Sequence, residues 1–407
     1  MGFPRNRGLA LVALAALAAA ACAATTSGQP HPGPTPADLS ALDTGPFQAA
    51  PFDFRPRLQT KDDVFHIEAR RMMGYLLSPH EVDPQLNQLD DARIVDETSF
   101  GEQPYAPLPE QYGAVATRHH LICGALVTRT NNKSRERKTM TIVLLRFPSA
   151  DEARAAAMEF AATPLNDRTD RHDIALPDIA GASAWSNTDV KGFAFAAHGD
   201  YAVLSLAAVP RPDPNALAAQ FETMFRAQFA RLEQLTPTPV DDILDLPSAT
   251  EPLMRLALPL SKKAGTSFSL FDATIGIYTP AGELHFERDA TVAGRAFTDA
   301  GVDLVAHNDG IVYRTRDFDS AVKLQTALTA PGRNDDEIDP PHGITDAHCL
   351  ALADPEPIRH DSYLCAVAVG RYVGVVGEEY AFGERMAPTF YQRVAAQYAI
   401  LARAERM

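Results

Sequence analysis

A chain of 407 residues with 46% hydrophobic and 22% charged side chains has apolar material for two or three packed domains. Its formal charge of −15 falls by two more if the leader arginines Arg5 and Arg7 are removed, and such an acidic body repels phosphate backbones and anionic headgroups alike. Nucleic acid is therefore not an expected partner, and any membrane attachment has to come from something other than a basic patch.

The first element supplies one. Arg5 and Arg7 precede an apolar run, Leu9 to Ala21, too short to cross a bilayer at about 1.5 Å per residue. The run ends Ala19-Ala20-Ala21-Cys22, which resembles the bacterial lipobox, where the cysteine thiol is acylated and the chain is cut on its N-terminal side. A lipobox usually carries Leu three residues before the cysteine, whereas this chain has Ala19. The competing reading is a plain secretory peptide cut after the A-x-A of Ala19 to Ala21. Residues 1–22 are read as a lipoprotein signal peptide, with Cys22 lipidated and the membrane as partner through that lipid. Residues 23–50, rich in Pro, Gly, Thr and Ser, are expected to form a disordered tether. No apolar run of 18 or more follows it.

The first domain is expected over 51–235. Residues 129–138 read as an exposed hairpin tip, since eight of the ten are charged or Asn. Val143–Arg146 reads as a strand entering a helix capped by Ser149, which with Glu152 makes a capping box. Gly199 sits in a tight turn between two short strands. The domain closes on a helix with Asp213 as cap, Pro214 at its first position and Leu217, Phe221, Met224, Phe225 and Leu232 along one face. A Pro- and Thr-rich linker, 236–252, leads to a second domain over 253–407.

That domain repeats the first. Ile311–Arg314 runs into Asp317-Phe318-Asp319-Ser320-Ala321 at an offset of 168, which superposes Arg314 on Arg146 and Ala321 on Ala153. Gly370 and Tyr372 fall on Gly199 and Tyr201 at an offset of 171. Phe390, Val394, Tyr398 and Leu401 give the closing helix. A weaker echo pairs Tyr75–Pro79 with Gly276–Pro280 at an offset of 201, so a long insertion is expected in the first half, the 129–138 stretch included. The expected fold is α+β: two similar tandem domains, each an antiparallel sheet with amphipathic helices on one face, packed as a pseudo-two-fold pair.

In the second domain Cys349 and Cys365 flank Asp354-Pro355-Glu356-Pro357, a turn signal, and both lie eight residues from Pro357. A hairpin centred there sets them opposite one another, within reach of a disulfide in an exported protein. Cys123 is the odd cysteine, expected to be a buried small hydrophobe. The leader, the tether, the tandem halves and the late cysteine pair together resemble a family of uncharacterised actinobacterial lipoproteins of mycobacterial type. They bear a more distant likeness to extracytoplasmic sensor domains of mycobacterial receptor kinases. The resemblance implies an envelope location, on the extracytoplasmic face of the cell membrane, and no activity.

Catalytic patterns fail on inspection. Ser320-Ala321-Val322-Lys323 fits S-x-x-K, but the chain has no Ser-Asp-Asn and no Lys-Thr-Gly, and the repeat puts Glu152 where Ser320 stands. Gly265-Thr266-Ser267-Phe268-Ser269 lacks the final glycine of a nucleophile elbow. His119 and His120, read on a strand, point to opposite faces and share no ion. Asn334–Asp339 puts Pro340 where a calcium loop counted from Asp335 needs glycine, and reads as a solvated acidic loop. His342 and His348 lie near Cys349, whose thiol fits the disulfide better. Neither dinucleotide nor P-loop glycine pattern occurs. No cofactor, no metal and no catalytic residue is therefore named, and Trp185 is read as a core anchor. The expected function is a non-catalytic binding or scaffold module, its ligand lodged in a cleft between the halves. The alternative is an envelope hydrolase with His119, His198 or His307 as base.

Overall fold

The computed structural model describes residues 36–55, 58, 60–101, 106–165, 170–246, 251–260, 272–379 and 386–405. Cys22, the leader, the first part of the tether and the Gly265–Ser269 motif lie outside them.

In the first half, α1 (Lys61–Met73) and α2 (Pro79–Val82) precede β1 (Gln88–Val95), α3 (Glu110–Arg118), β2 (Cys123–Thr130), β3 (Thr139–Arg146) and α4 (Ala150–Ala162). Then come β4 (His172–Asp173), β5 (Ser183–Ser186), β6 (Lys191–His198), β7 (Tyr201–Ala208) and α5 (Pro214–Leu232). The second half runs β8 (Gly276–Tyr278), α6 (Pro280–Glu283), α7 (Ala290–Ala300), β9 (Leu304–His307), β10 (Gly310–Arg314) and α8 (Phe318–Leu328). It ends with β11 (Asp336–Ile338), β12 (His348–Ala351), β13 (Asp361–Val369), β14 (Tyr372–Glu379) and α9 (Pro388–Ala404).

Each half forms one seven-stranded antiparallel sheet, ordered β1-β2-β3-β7-β6-β5-β4 and β8-β9-β10-β14-β13-β12-β11. The two orders correspond strand for strand, so the duplication read from short matching strings extends to the whole topology. Local chemistry recurs with it. Ser149 and Asp317 accept from the backbone N–H of Glu152 (3.3 Å) and Ser320 (2.8 Å) at the starts of α4 and α8. Gly199 and Gly370 take φ of +54° and +52° in the turns that pair His198 with Tyr201 and Val369 with Tyr372.

Helices cover both faces of each sheet, not one. In the first half Ala125, Val127, Ile142, Leu144 and Ala194 share a core with α1 and α5. The alternate residues Leu126, Val143, Leu145 and Phe195 pack instead with α3 and α4. Strand residues alternate between faces, so a run apolar at every position serves two helical layers. In the second half α7 and α8 lie on one side and α9 on the other. One apolar cluster joins the halves, and it takes the α1/α5 side of the first with the α7/α8 side of the second. These faces are not equivalent, which replaces the expected pseudo-two-fold with a head-to-tail packing.

Two further expectations change. From Ala37 on, the supposed tether is seated on the second domain: Leu39, Leu42 and Phe47 pack against its core, as does Phe54 just beyond it, and Ala37 N donates to the Tyr398 hydroxyl at 3.0 Å. Apolar residues spaced among Pro and Gly can bind a surface that already exists without forming a helix or strand. Tyr75–Leu77 is not a strand although Gly276–Tyr278 is; the echo is limited to short helices that start at Pro79 and Pro280.

Candidate functional site

Among the described residues, two clusters of charged groups lie deep in the apolar layers, each drawn together from distant sequence by the strands and helices. In the first, Arg146 at the end of β3 and Glu68 on α1 are 1% and 0% exposed and form an ion pair. Arg146 also donates to the Thr238 carbonyl, while Arg71 (3.1 Å) and the Thr238 hydroxyl (2.9 Å) donate to the other Glu68 oxygen. This network fastens the interdomain linker to the first sheet.

The second cluster lies where the halves meet. Arg129 belongs to the polar stretch expected to be exposed, but β2 carries its side chain inward. Its guanidinium donates to the carbonyls of Asn87 (2.9 Å), Leu284 (2.6 Å) and Glu287 (3.0 Å). Beside it, His307 Nε2 lies 2.5 Å from a Glu283 oxygen, and the Tyr313 hydroxyl donates to Glu283 (3.2 Å) and Glu287 (2.7 Å). His285 Nε2 reaches the carbonyls of Met73 and Leu76, both at 3.1 Å. Burial, and then the neighbouring Glu283 carboxylate, push the Glu287 carboxyl up to about 8. Burial and the nearby Arg129 and Arg231 charges hold His285 down to about 3. Glu283 and His307 are 1% and 5% exposed, so this acid–imidazole pair does not meet solvent and acts as an internal bracket.

These two shifts act on stability in opposite senses. A folded Glu287 keeps a proton that the unfolded chain releases above its ordinary 4.5. Its contribution is therefore whole below about 4.5 and is lost as pH rises toward about 8. A folded His285 stays neutral where the unfolded chain gains a proton below 6.5, so its contribution is lost as pH falls from there toward about 3. The Glu287→Gln variant should show a flatter decline in urea-unfolding free energy between pH 5 and 8 than the parent protein. An unchanged decline would assign that limb to Asp361 instead, whose carboxyl burial raises to about 7.

The residues singled out from the sequence lie far apart in role. His119 is the C-cap of α3, not a strand residue, and its two ring nitrogens lie 2.7 Å from Glu152 and 2.8 Å from Glu159 on α4. That contact takes the Glu152 side chain away from the expected capping box. His120 follows in the left-handed region at φ +58°. His198 stacks on Phe229 at 4.8 Å, and Ser320 is buried in the first turn of α8. Residues 336–338 of the expected acidic loop are a strand, β11, and Asp335 instead accepts from Gly332 N and Arg288, both at 2.8 Å. His348 Nδ1 meets the Thr329 hydroxyl at 3.3 Å. A Ser–His contact unnoticed in the sequence, Ser78 Oγ to His80 Nδ1 at 2.8 Å, lies within one helix-entry turn where Ser78 is 1% exposed, which places the hydroxyl out of a substrate's reach. Among the described residues no group of three or more His, Cys, Asp or Glu is placed to hold a metal ion.

Cys349 and Cys365 are direct partners in the β12–β13 register, with Cα atoms 4.1 Å apart, and are joined by a disulfide. The pairs His348–Ala366 and Ala351–Tyr363 share the same centre at Pro357. Trp185 is 3% exposed on β5.

Residues 55–248 match a family model described as domain of unknown function (DUF7373) N-terminal, and residues 254–404 match its C-terminal counterpart. No curated protein and no solved structure matches the chain.

Proposed function

The chain belongs to the DUF7373 family, both of whose domains it carries in tandem, and from that premise we propose an exported lipoprotein of an actinobacterial cell envelope. A lipid on Cys22 holds it on the extracytoplasmic face of the membrane, and its body serves as a non-catalytic binding or scaffold module. The observation that carries the non-catalytic reading is the occupancy of the histidines. His119 is held between two glutamates, His198 lies on an aromatic ring and His307 is enclosed with Glu283. General-base work needs an imidazole within reach of a nucleophile that a substrate can approach. The buried Cys349–Cys365 disulfide suits an oxidising compartment. Among the described residues no helix is long and apolar enough to cross a membrane, which leaves lipid anchoring open.

The Cys22→Ala variant should move from the membrane fraction to the soluble fraction or the medium. Each buried acyl methylene contributes about 0.8 kcal/mol to attachment, and the acidic body offers no substitute. Intact-mass measurement should find the mature chain starting at an acylated Cys22. An unmodified Cys22, or a different first residue, would refute the anchor.

A further inference from the structure

Trp185 is the only tryptophan in the chain, and two flat groups flank its indole. Phe193, its cross-strand partner on β6, stacks at 4.2 Å between ring centroids, and the Arg171 guanidinium lies 4.5 Å from the indole centroid. Arg171 is itself positioned by donating to the Ala161 carbonyl at 2.6 Å. Nearby, Tyr112 of α3 is held edge-on by Phe160 at 5.1 Å and Phe195 at 6.1 Å. The Arg171 charge is felt at the Tyr112 phenol, where it opposes the upward push of burial on that group.

Trp185 and Tyr112 are each 3% exposed, yet among the described residues neither the indole N–H nor the phenol hydroxyl has a hydrogen-bond partner. Folded proteins seldom leave a buried donor without an acceptor, because its lost hydration is not returned. The two groups lie on the same layer of the first domain, among Phe160, Phe193 and Phe195, with a guanidinium beside them. A neutral donor, a hydroxyl and a cationic fork bounded by aromatic walls match an acceptor that carries negative charge on an apolar body.

We propose that this edge of the first domain binds an oxyanion, a carboxylate or phosphate on an apolar body, held by the Trp185 N–H, the Tyr112 hydroxyl and the Arg171 guanidinium. The site deepens the binding reading given above and rests on it, but does not depend on the lipid anchor.

Because Trp185 is the sole tryptophan, its emission reports occupancy directly. The full chain would be titrated with 3-phenylpropanoate, phenyl phosphate and the neutral 3-phenylpropanamide. A saturable change in emission is expected with at least one anion, with Kd at least tenfold weaker for the amide. Preference between the two anions separates a carboxylate source from a phosphate source. Arg171→Gln should raise Kd at least tenfold and Tyr112→Phe several-fold, with melting temperatures near that of the parent. Absence of a saturable change with both anions, or equal Kd values in parent and variants, would overturn the site. Fractionation of Cys22→Ala is unaffected by either result, so the anchor and the site can fail separately.

Discussion

Arg146→Met should destabilise the protein by about 3–5 kcal/mol, the range for breaking a buried ion pair from one side. Arg146 and Glu68 are 1% and 0% exposed, so removing the guanidinium leaves a carboxylate in an apolar layer. Arg71 still reaches Glu68 at 3.1 Å, but it is more exposed and its charge is better hydrated. The Thr238 carbonyl also loses its donor, which frees the linker from β3. The internal control is Arg314→Met at the equivalent repeat position. Arg314 pairs with Asp303 at 2.7 Å, but Asp303 is more than half exposed, and such pairs contribute about 0–1 kcal/mol. Urea unfolding of the two variants should separate them by several kcal/mol, and the double variant Glu68→Gln, Arg146→Met should recover part of the loss. Equal costs at 146 and 314 would show that burial of the first pair does not set its energy.

Replacing Cys349 and Cys365 together with Ala should cost about 3 kcal/mol, the chain-entropy value for a loop closed at a separation of 16 residues. Both positions lie in the core beneath α9, so the alanines also leave unfilled space there. The loss should fall on the second domain, and hydrogen exchange should show faster opening of β12 and β13 than of β2 and β3. Peptide mapping without reduction should recover a fragment joining 349 to 365. Cys123 should react with an alkylating agent only after unfolding, since burial pushes its thiol well above the ordinary range and its sulfur rests 3.7 Å from that of Met72. A bond from Cys123 to either partner would contradict the β12–β13 register.

Local features can be read from the residues in order. A cap acts on a backbone N–H three residues away, a positive φ at Gly199 or Gly370 belongs to one turn, and equal distances from Pro357 define a hairpin register. Such signals are complete within a few residues, so the duplication, the strand-to-helix transitions and the partner of Cys349 were all legible. What lies over a face is not local. Arg146 and Arg314 occupy the same repeat position, yet α1 and the linker enclose the first while the second stays near solvent. Arg129 sits in a charged run that reads as surface, and its burial is made tolerable by the Asn87 carbonyl together with the carbonyls that residues 284–287 bring from the other domain. Likewise Ala37 finds Tyr398 across 361 residues, and His119 finds Glu159 across 40. The free energy of a charged or apolar side chain depends on the groups that replace its water, and the tertiary structure alone decides which groups those are.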